Sequence, residues 1–114
     1  MLAVIFEVTP TEAGKSAYLA RAAELKARLA QYDGCLSIER FQSLADDRKL
    51  LSLSFWRDET ALSAWRNDLD HCLAQQQGKE KWFDSYRIRV AQVQRDYTQQ
   101  AREQAPEDAR VRLG

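Results

Sequence analysis

Cysteine is scarce in this 114-residue chain, which has two, Cys35 and Cys72. They are 37 positions apart and show neither the Cys-x-x-Cys spacing nor the density of a disulfide framework, so we expect both thiols to be reduced. The apolar stretch after Met1 already ends at Glu7, which is too short for the core of a signal peptide. No apolar run approaches the roughly 18 residues of a membrane span. These absences predict a cytoplasmic protein without a membrane partner.

Glycine and histidine are also rare: there are four glycines and one histidine, His71. The chain lacks Gly-x-Gly-x-x-Gly, the P-loop and Gly-x-Ser-x-Gly, so we expect no nucleotide cofactor. A single histidine and two separated cysteines cannot complete a zinc site without carboxylates, so we expect no metal. Seventeen Lys and Arg balance seventeen Asp and Glu, which removes the long-range field that nucleic-acid-binding proteins use. No nucleic-acid partner is therefore expected.

The residues that are present indicate one folded domain. Hydrophobic residues make up 45% of the chain, and this length suffices for one modest core. Apolar alternation predicts strands at 2–8, 35–44, 49–56 and about 86–97. Helical periodicity predicts a long helix over 11–31 and a second helical region that begins after Asp58, its N-cap, is interrupted at 67–70 and ends near Gly78. In the last strand the apolar residues change from even to odd positions after Val90, which predicts a bulge near that residue.

This element order, β-α-β-β-α-β, predicts an α+β ferredoxin-like fold, with one antiparallel sheet and both helices on one face. Gly34, after the first helix, is expected to adopt the left-handed conformation. We expect residues 1–97 to form the domain. Residues 98–114 are expected to form a C-terminal tail that is mobile or packed on a partner subunit.

The sheet face away from the helices is expected to be too apolar to remain in water. Packing two such faces about a two-fold axis covers both with the same patch, so the sequence predicts a homodimer. The alternative is a monomer whose tail folds back over the sheet. The side chains assigned to this face are Ala3, Ile5, Glu7, Phe41, Leu50, Trp56, Arg87 and Arg89.

Several short segments carry a family pattern: Phe55-Trp56-Arg57-Asp58, Ala64-Trp65-Arg66-Asn67, His71, Gln75, Gly78, Trp82, Tyr86 and Arg89-Val90-Ala91. Over about residues 1–97 the chain resembles the antibiotic biosynthesis monooxygenase (ABM) superfamily of dimeric α+β barrels. The pattern resembles an uncharacterised bacterial branch of it, related to haem-degrading and quinol monooxygenases. Membership alone leaves the activity open, because the superfamily hosts several chemistries.

The resemblance implies a monooxygenase that acts on a small phenolic or quinol-like aromatic without flavin or metal. The protein would supply a dry pocket, a base and stabilisation of an anion. The alternatives are a haem-binding or haem-degrading protein and a dimer that binds a small ligand without catalysis. Haem-degrading relatives carry Asn, Trp and His where this chain has Glu7, Trp65 and Gln75, so haem ligation would need His71 instead.

Two residues are the catalytic candidates. His71 is the only side chain whose ordinary pKa lies near neutrality, so it is the candidate base that takes a proton from a phenol or quinol. Arg87 is the candidate that stabilises the resulting oxyanion by charge-assisted hydrogen bonds. The alternatives are a solvated histidine on the helix surface and an arginine that is solvated or paired with Glu7 or Glu39.

Four further residues are substrate-binding candidates. Arg66 carries a second guanidinium that can pair with an anion. Trp65, Trp82 and Tyr86 are candidate pocket walls, since aromatic side chains stack on an aromatic ligand and Tyr86 adds a hydroxyl. For all three aromatics the alternative is ordinary packing in the core.

Overall fold

The structure, a computed structural model, describes residues 1–29, 31–76 and 83–108, and for residues 25 and 69–76 it describes the backbone alone. Its elements are β1 (Leu2–Pro10), α1 (Lys15–Leu29), β2 (Cys35–Gln42), β3 (Leu50–Trp56), α2 (Glu59–Gln76) and β4 (Phe83–Gln92). The strands of these ranges form an antiparallel sheet in the order β2-β3-β1-β4. The predicted α+β ferredoxin-like arrangement is confirmed.

The core lies between the sheet and the two helices. Even-numbered residues of β1 face the helices, and Val4, Phe6 and Val8 are buried there. Helix α1 contributes residues at helical spacing and α2 contributes its first two turns. The buried cluster comprises Val4, Phe6, Val8, Tyr18, Ala22, Leu29, Leu50, Trp56, Ala61, Leu62 and Trp65.

The prediction that Leu50 and Trp56 face away from the helices is wrong. Leu50 pairs with Val8 and Trp56 pairs with Leu2, and directly paired residues of antiparallel strands project from the same face. Trp56 is completely buried in the core. Strand β3 has apolar residues at both parities, so its alternation alone does not indicate which side the helices cover.

The predicted interruption of the second helix at 67–70 is also wrong, because α2 runs without a break from Glu59 to Gln76. The predicted N-cap is confirmed: the Asp58 carboxylate accepts a hydrogen bond from the backbone N–H of Ala61 at 2.8 Å. In the middle of α2, the Asp68 carboxylate accepts a hydrogen bond from the Tyr32 hydroxyl. This tertiary contact offsets the weak helix propensity of the Asn and Asp residues there.

Strand β4 pairs with β1 in unbroken register from Ser85 to Gln92, so the predicted bulge near Val90 is wrong. The irregularity lies at Thr9 and Pro10 instead, where proline lacks the N–H that a ladder requires. Helix α1 begins four residues later than predicted, because the Gly14 N–H closes a turn on the Thr11 carbonyl and hydroxyl.

The left-handed glycine is confirmed, since Gly34 has a φ of 89°. It follows the short segment after α1 and leads directly into β2. The cap predicted at Gly78 lies outside the described residues.

The segment after β4 is held by hydrogen bonds to the N-terminus and within itself. The Val93 N–H donates to the Met1 carbonyl, and the Asp96 N–H donates to the Gln104 side chain at 2.8 Å. The Arg102 guanidinium lies over the Tyr97 ring, and Ala105 is buried. Packing of the tail on a partner subunit stays a prediction.

Candidate functional site

Four aromatic side chains meet on the helix side of the sheet, where β1 and β4 pair. Phe6 of β1, Tyr18 of α1, and Phe83 and Tyr86 of β4 form this aromatic patch. The ring centroids of Tyr18 and Phe83 are 5.2 Å apart, and those of Phe6 and Tyr86 are 6.0 Å apart. All four described contacts in the patch are edge-on, the geometry that aromatic pairs prefer.

The register explains how the sequence builds this patch. Val8 pairs with Tyr86 and Phe6 pairs with Ile88, so alternate residues of the two strands project toward the helices together. Tyr18 lies on the buried side of α1 and reaches Phe83 from above.

One margin of the aromatic patch is open to solvent. Phe6 and Tyr18 are buried, whereas Tyr86 is 45% exposed and Val90, further along β4, is 47% exposed. Exposed apolar residues beside a buried aromatic floor offer a flat aromatic ligand a surface on which to stack. The Tyr86 hydroxyl can donate or accept a hydrogen bond to an oxygen of that ligand.

Tyr18 and Arg40 form a polar pair beneath α1 that the sequence interpretation missed. Burial raises the pKa of the Tyr18 phenol, and the neighbouring charge and hydrogen bond of Arg40 offset part of that effect. Arg40 also donates to the Ala22 carbonyl of α1 at 2.5 Å. The sequence carried one sign of this pair: Arg40 lies two residues after Ile38 in β2, so both side chains project toward the helices. The pair holds a neutral hydroxyl beside a fixed positive charge at the inner end of the patch.

Trp65 lies in the core rather than at the open margin of the patch. Its ring is tilted against the ring of Trp56, with centroids 5.6 Å apart, and it is 6% exposed. The Trp56 indole N–H in turn donates to the buried Ser54 hydroxyl at 2.9 Å. A ligand would therefore contact Trp65 only after these side chains separate.

The two arginine candidates lie on different surfaces. Arg66 is exposed on α2, where its guanidinium is 3.6 Å from the Glu59 carboxylate. Arg87 lies opposite Glu7 of β1 in the strand register and faces the side of the sheet without helices, so it projects from β4 opposite to Tyr86. The structure does not bring Arg87 and Tyr86 to one face.

His71 and Trp82 complete the candidate set. Position 71 lies in the unbroken helix α2, six residues after Trp65, which places the two positions about 240° apart around the helix axis. The structure describes neither the side chains of His71 and Gln75 nor any part of Trp82. The roles predicted for these residues stay predictions.

The sheet face opposite the helices, called the open face, consists of Ala3, Ile5 and Glu7 of β1, Ser37, Glu39 and Phe41 of β2, Leu51, Leu53 and Phe55 of β3, and Arg87, Arg89 and Ala91 of β4. Glu7 is held there by two cations. Its Oε1 is 3.0 Å from Arg89, and its Oε2 is 3.4 Å from Lys49.

The positions of Glu7 and Trp65 do not fit the haem alternative. Under the resemblance, Glu7 stands where haem-degrading relatives carry Asn, yet both its oxygens are engaged by cations on the open face. Trp65 lies on the other side of the sheet, in the core. The two positions therefore do not face one common pocket within the chain.

Two searches of the described ranges bear on metals and membranes. No group of three or more His, Cys, Asp or Glu side chains within them could hold a metal ion. No helix within them is long and apolar enough to cross a membrane.

Comparisons with known proteins place this geometry in a family. Residues 1–77 match the model of the family described as antibiotic biosynthesis monooxygenase. The chain is 42% identical over 93 residues to "Jasmonate monooxygenase ABM" of Pyricularia oryzae, a match that covers 82% of this chain. The matched part spans only 43% of the length of that relative.

Solved structures support the fold. A putative antibiotic biosynthesis monooxygenase from Deinococcus radiodurans superposes with a TM-score of 0.73 at 11% identity, covering 86% of this chain and 97% of that one. SnoaB of Streptomyces nogalater, a cofactor-independent oxygenase, superposes with a TM-score of 0.65 at 14% identity, covering 83% and 94%. The family model and the fungal relative confirm the resemblance inferred from the short sequence segments, and the chain belongs to the antibiotic biosynthesis monooxygenase family.

Proposed function

We propose that this chain is a cofactor-independent monooxygenase whose substrate is a small phenolic or quinol-like aromatic that binds over the aromatic patch. The observation that carries the proposal is the half-exposed Tyr86 ring beside the buried ring of Phe6 and the partly buried ring of Phe83. Such a surface suits a flat, electron-rich ligand. Membership of a monooxygenase family supports the reaction type, and SnoaB provides a fold relative that needs no cofactor.

The proposed reaction needs no external reductant. A base removes the phenolic proton, and the electron-rich anion transfers electrons to O2. One oxygen atom enters the ring as a carbonyl, the other leaves as water, and the substrate supplies all four electrons as a phenol becomes a quinone. The protein contributes a dry site, proton transfer and stabilisation of the anion.

Within this proposal His71 is the base, and Trp82 and Tyr86 contact the ligand. Arg66 and Trp65 keep the substrate-binding roles predicted for them, although the structure places them on the surface of α2 and in the core. Arg87 projects from the other face of β4, so we do not place it around this ligand.

The proposal includes a homodimer formed through the open face and a cytoplasmic location. The open face carries partly exposed Ile5, Leu51, Leu53 and Phe55, and Phe41 is 42% exposed. A contiguous apolar surface of this kind is usually covered by a partner. A second copy covers it with the same residues.

The test is oxygen consumption by the purified chain with a panel of phenols and quinols, to which jasmonate is added because of the named fungal relative. Turnover above the autoxidation of each compound, unaffected by a metal chelator and without bound flavin, is expected. His71→Ala should abolish it, and Tyr86→Ala should raise KM by at least about tenfold, the loss expected for one aromatic contact.

Tyr97→Ala is the matched control, because Tyr97 is similarly exposed but lies in the segment after β4. Oxygen uptake that never exceeds autoxidation contradicts the proposal. Ligand binding without turnover would instead support the non-catalytic alternative. A shift of the haem Soret band that is lost in His71→Ala would support the haem alternative.

A further inference from the structure

One charged side chain lies among the rows of the sheet that face the helices. Strand pairing aligns these rows from β2 across β3 and β1 to β4. The rows are Gln42, Leu50, Val8, Tyr86; then Arg40, Ser52, Phe6, Ile88; then Ile38, Ser54, Val4, Val90. Arg40 is the only member of these three rows that carries a charge, and it lies in the row of the buried Phe6. Removing a cation from water on the core side of a sheet costs free energy that partners must offset.

Both partners that the structure gives Arg40 are neutral. Its guanidinium donates to the Ala22 carbonyl at 2.5 Å and to the hydroxyl of Tyr18, which lies one turn earlier in α1. Within the described part of the chain, no carboxylate forms an ion pair with Arg40. A guanidinium has five N–H donors, so some remain for a further acceptor. The half-buried Arg40 therefore has hydrogen-bond acceptors there but no counter-ion.

The Tyr18 hydroxyl has a proton to donate. It accepts a hydrogen bond from Arg40, and none of the described residues accepts one from it. Burial raises the pKa of Tyr18, so the hydroxyl keeps its proton at neutral pH. A hydrogen bond from such a hydroxyl to an anion is stronger than one to a neutral oxygen, and the bond from Arg40 polarises it further. Arg40 and Tyr18 thus offer a positive charge and a hydrogen-bond donor side by side.

Tyr18 also connects this pair with the aromatic patch. Its ring contacts the ring of Phe83, with centroids 5.2 Å apart, while its hydroxyl contacts Arg40. Neighbouring strands lie about 4.8 Å apart, so the backbones at Arg40 in β2 and Phe6 in β1, two strands away, are about 10 Å apart. A flat ligand beside Tyr18 can therefore keep a ring on the patch and place an oxygen against Arg40.

We propose that Arg40 and Tyr18 bind the ionised oxygen of the substrate, so that a phenolate is the counter-ion of Arg40 and accepts a hydrogen bond from the Tyr18 hydroxyl. The inference rests on the proposed function and names the residues that stabilise its anion. They take the role predicted for Arg87, which projects from the other face of the sheet. The proton that the phenol loses passes to the base of the proposed reaction, and the positive charge of Arg40 favours its departure.

The test measures binding of 4-nitrophenol, because its phenolate absorbs visible light and its neutral form does not. At the pH where half of the free probe is ionised, at least about nine-tenths of the bound probe should be phenolate. This fraction corresponds to phenolate binding at least about tenfold tighter than phenol binding, the smallest effect expected of an adjacent opposite charge. The methyl ether 4-nitroanisole cannot ionise, so it reports binding of the ring alone.

Three variants separate charge, hydrogen bond and packing. Arg40→Gln removes the charge and keeps an amide donor, and it should abolish the preference for phenolate. Arg40→Lys keeps the charge and should retain most of the preference. Tyr18→Phe keeps the ring and should weaken phenolate binding about tenfold or more, the loss expected for a hydrogen bond to a charged group. Binding of 4-nitroanisole should stay the same in all three, which a merely structural role for these residues would not allow.

Arg28→Gln is the matched control, because it removes the same charge from an exposed position of α1. It should leave the binding of both probes unchanged. Circular dichroism spectra and thermal melts verify that each variant is folded. Should Arg40→Gln not fold, Arg40→Lys and Tyr18→Phe decide. Retention of the preference in the first and weaker phenolate binding in the second support the inference, and any other combination overturns it.

Failure of the inference and failure of the proposed function give different results. Bound 4-nitrophenol that is no more ionised than the free probe, or that is equally ionised in folded Arg40→Gln and in the unmodified protein, overturns the inference. The aromatic site and the proposed activity then stand. If neither probe binds, the inference falls together with the aromatic ligand of the proposed function. Oxygen uptake tests catalysis separately.

Discussion

Gly34 is a position where one added methyl group should be costly. Its φ of 89° is a backbone conformation that residues with a Cβ rarely adopt. A Cβ built there would overlap the Cβ of Ala61 in the first turn of α2. Its carbonyl also accepts a hydrogen bond from the Arg57 N–H at 2.8 Å, so the loop cannot move away from the helix without breaking that bond. We therefore expect Gly34→Ala to be strongly destabilising.

Two physical effects set the magnitude. The left-handed backbone costs a residue with a Cβ about 1–2 kcal/mol. Forcing an extra methyl group into a packed contact costs about 1–3 kcal/mol. The free energy of unfolding should thus fall by about 2–5 kcal/mol, which in a domain of this size lowers Tm by roughly 10–20 °C.

Urea and thermal unfolding followed by circular dichroism measure this loss, and Ala61→Gly supplies the control. In the double variant the overlap is relieved while the backbone strain at Gly34 persists, so the two changes should be non-additive by about 1–3 kcal/mol. A loss below about 0.5 kcal/mol for Gly34→Ala, which is within the range of an inert surface substitution, would refute the reasoning. Strict additivity in the double variant would show that the contact with Ala61 is not the cause.

Two further predictions concern α2 and the core. The N–H of Ala61 and the side chain of Arg57 lower the pKa of Asp58, so its contribution to stability is present above its unfolded pKa of about 4 and is lost as the pH falls through the lower folded value. Asn also caps a helix but does not titrate, so between about pH 5 and pH 3 the free energy of unfolding should fall less in Asp58→Asn than in the unmodified protein. Urea unfolding measures both, and an equal fall in the two proteins would contradict this. Ser54→Ala removes the acceptor of the buried Trp56 indole N–H and should cost about 1–3 kcal/mol, but much less in a Trp56→Phe background. Equal costs in the two backgrounds, measured by urea unfolding, would show that the hydrogen bond is not responsible.

The element order was predictable because strand and helix patterns are local. Alternation in β1 and β3, the spacing of Tyr18, Ala22 and Leu29 in α1, and the cap at Asp58 each depend on a few neighbouring residues. Local patterns failed where a distant residue decided the outcome. Asn67 to Asp70 were predicted to interrupt a helix that continues, with Asp68 held by Tyr32 from a segment 36 residues earlier.

The candidate site was predictable only in part. Tyr86 was identified, and the structure places it in an aromatic patch with Phe6, Tyr18 and Phe83. That patch joins three elements, so no single stretch of sequence displays it. Arg87, one residue from Tyr86, illustrates the same difficulty, because neighbouring residues of a strand lie on opposite faces.

The sequence by itself determined the family, the α+β class and the order of the six elements, since these follow from periodicity and short motifs. Only the tertiary structure decided which face of β3 the helices cover, that Trp56 lies in the core, and that Glu39 and Arg87 lie at opposite edges of the open face. The physical reason is that a strand with apolar residues at both parities fits a sheet in either orientation. Pairing with β1, about 50 residues earlier in the chain, selects one of them.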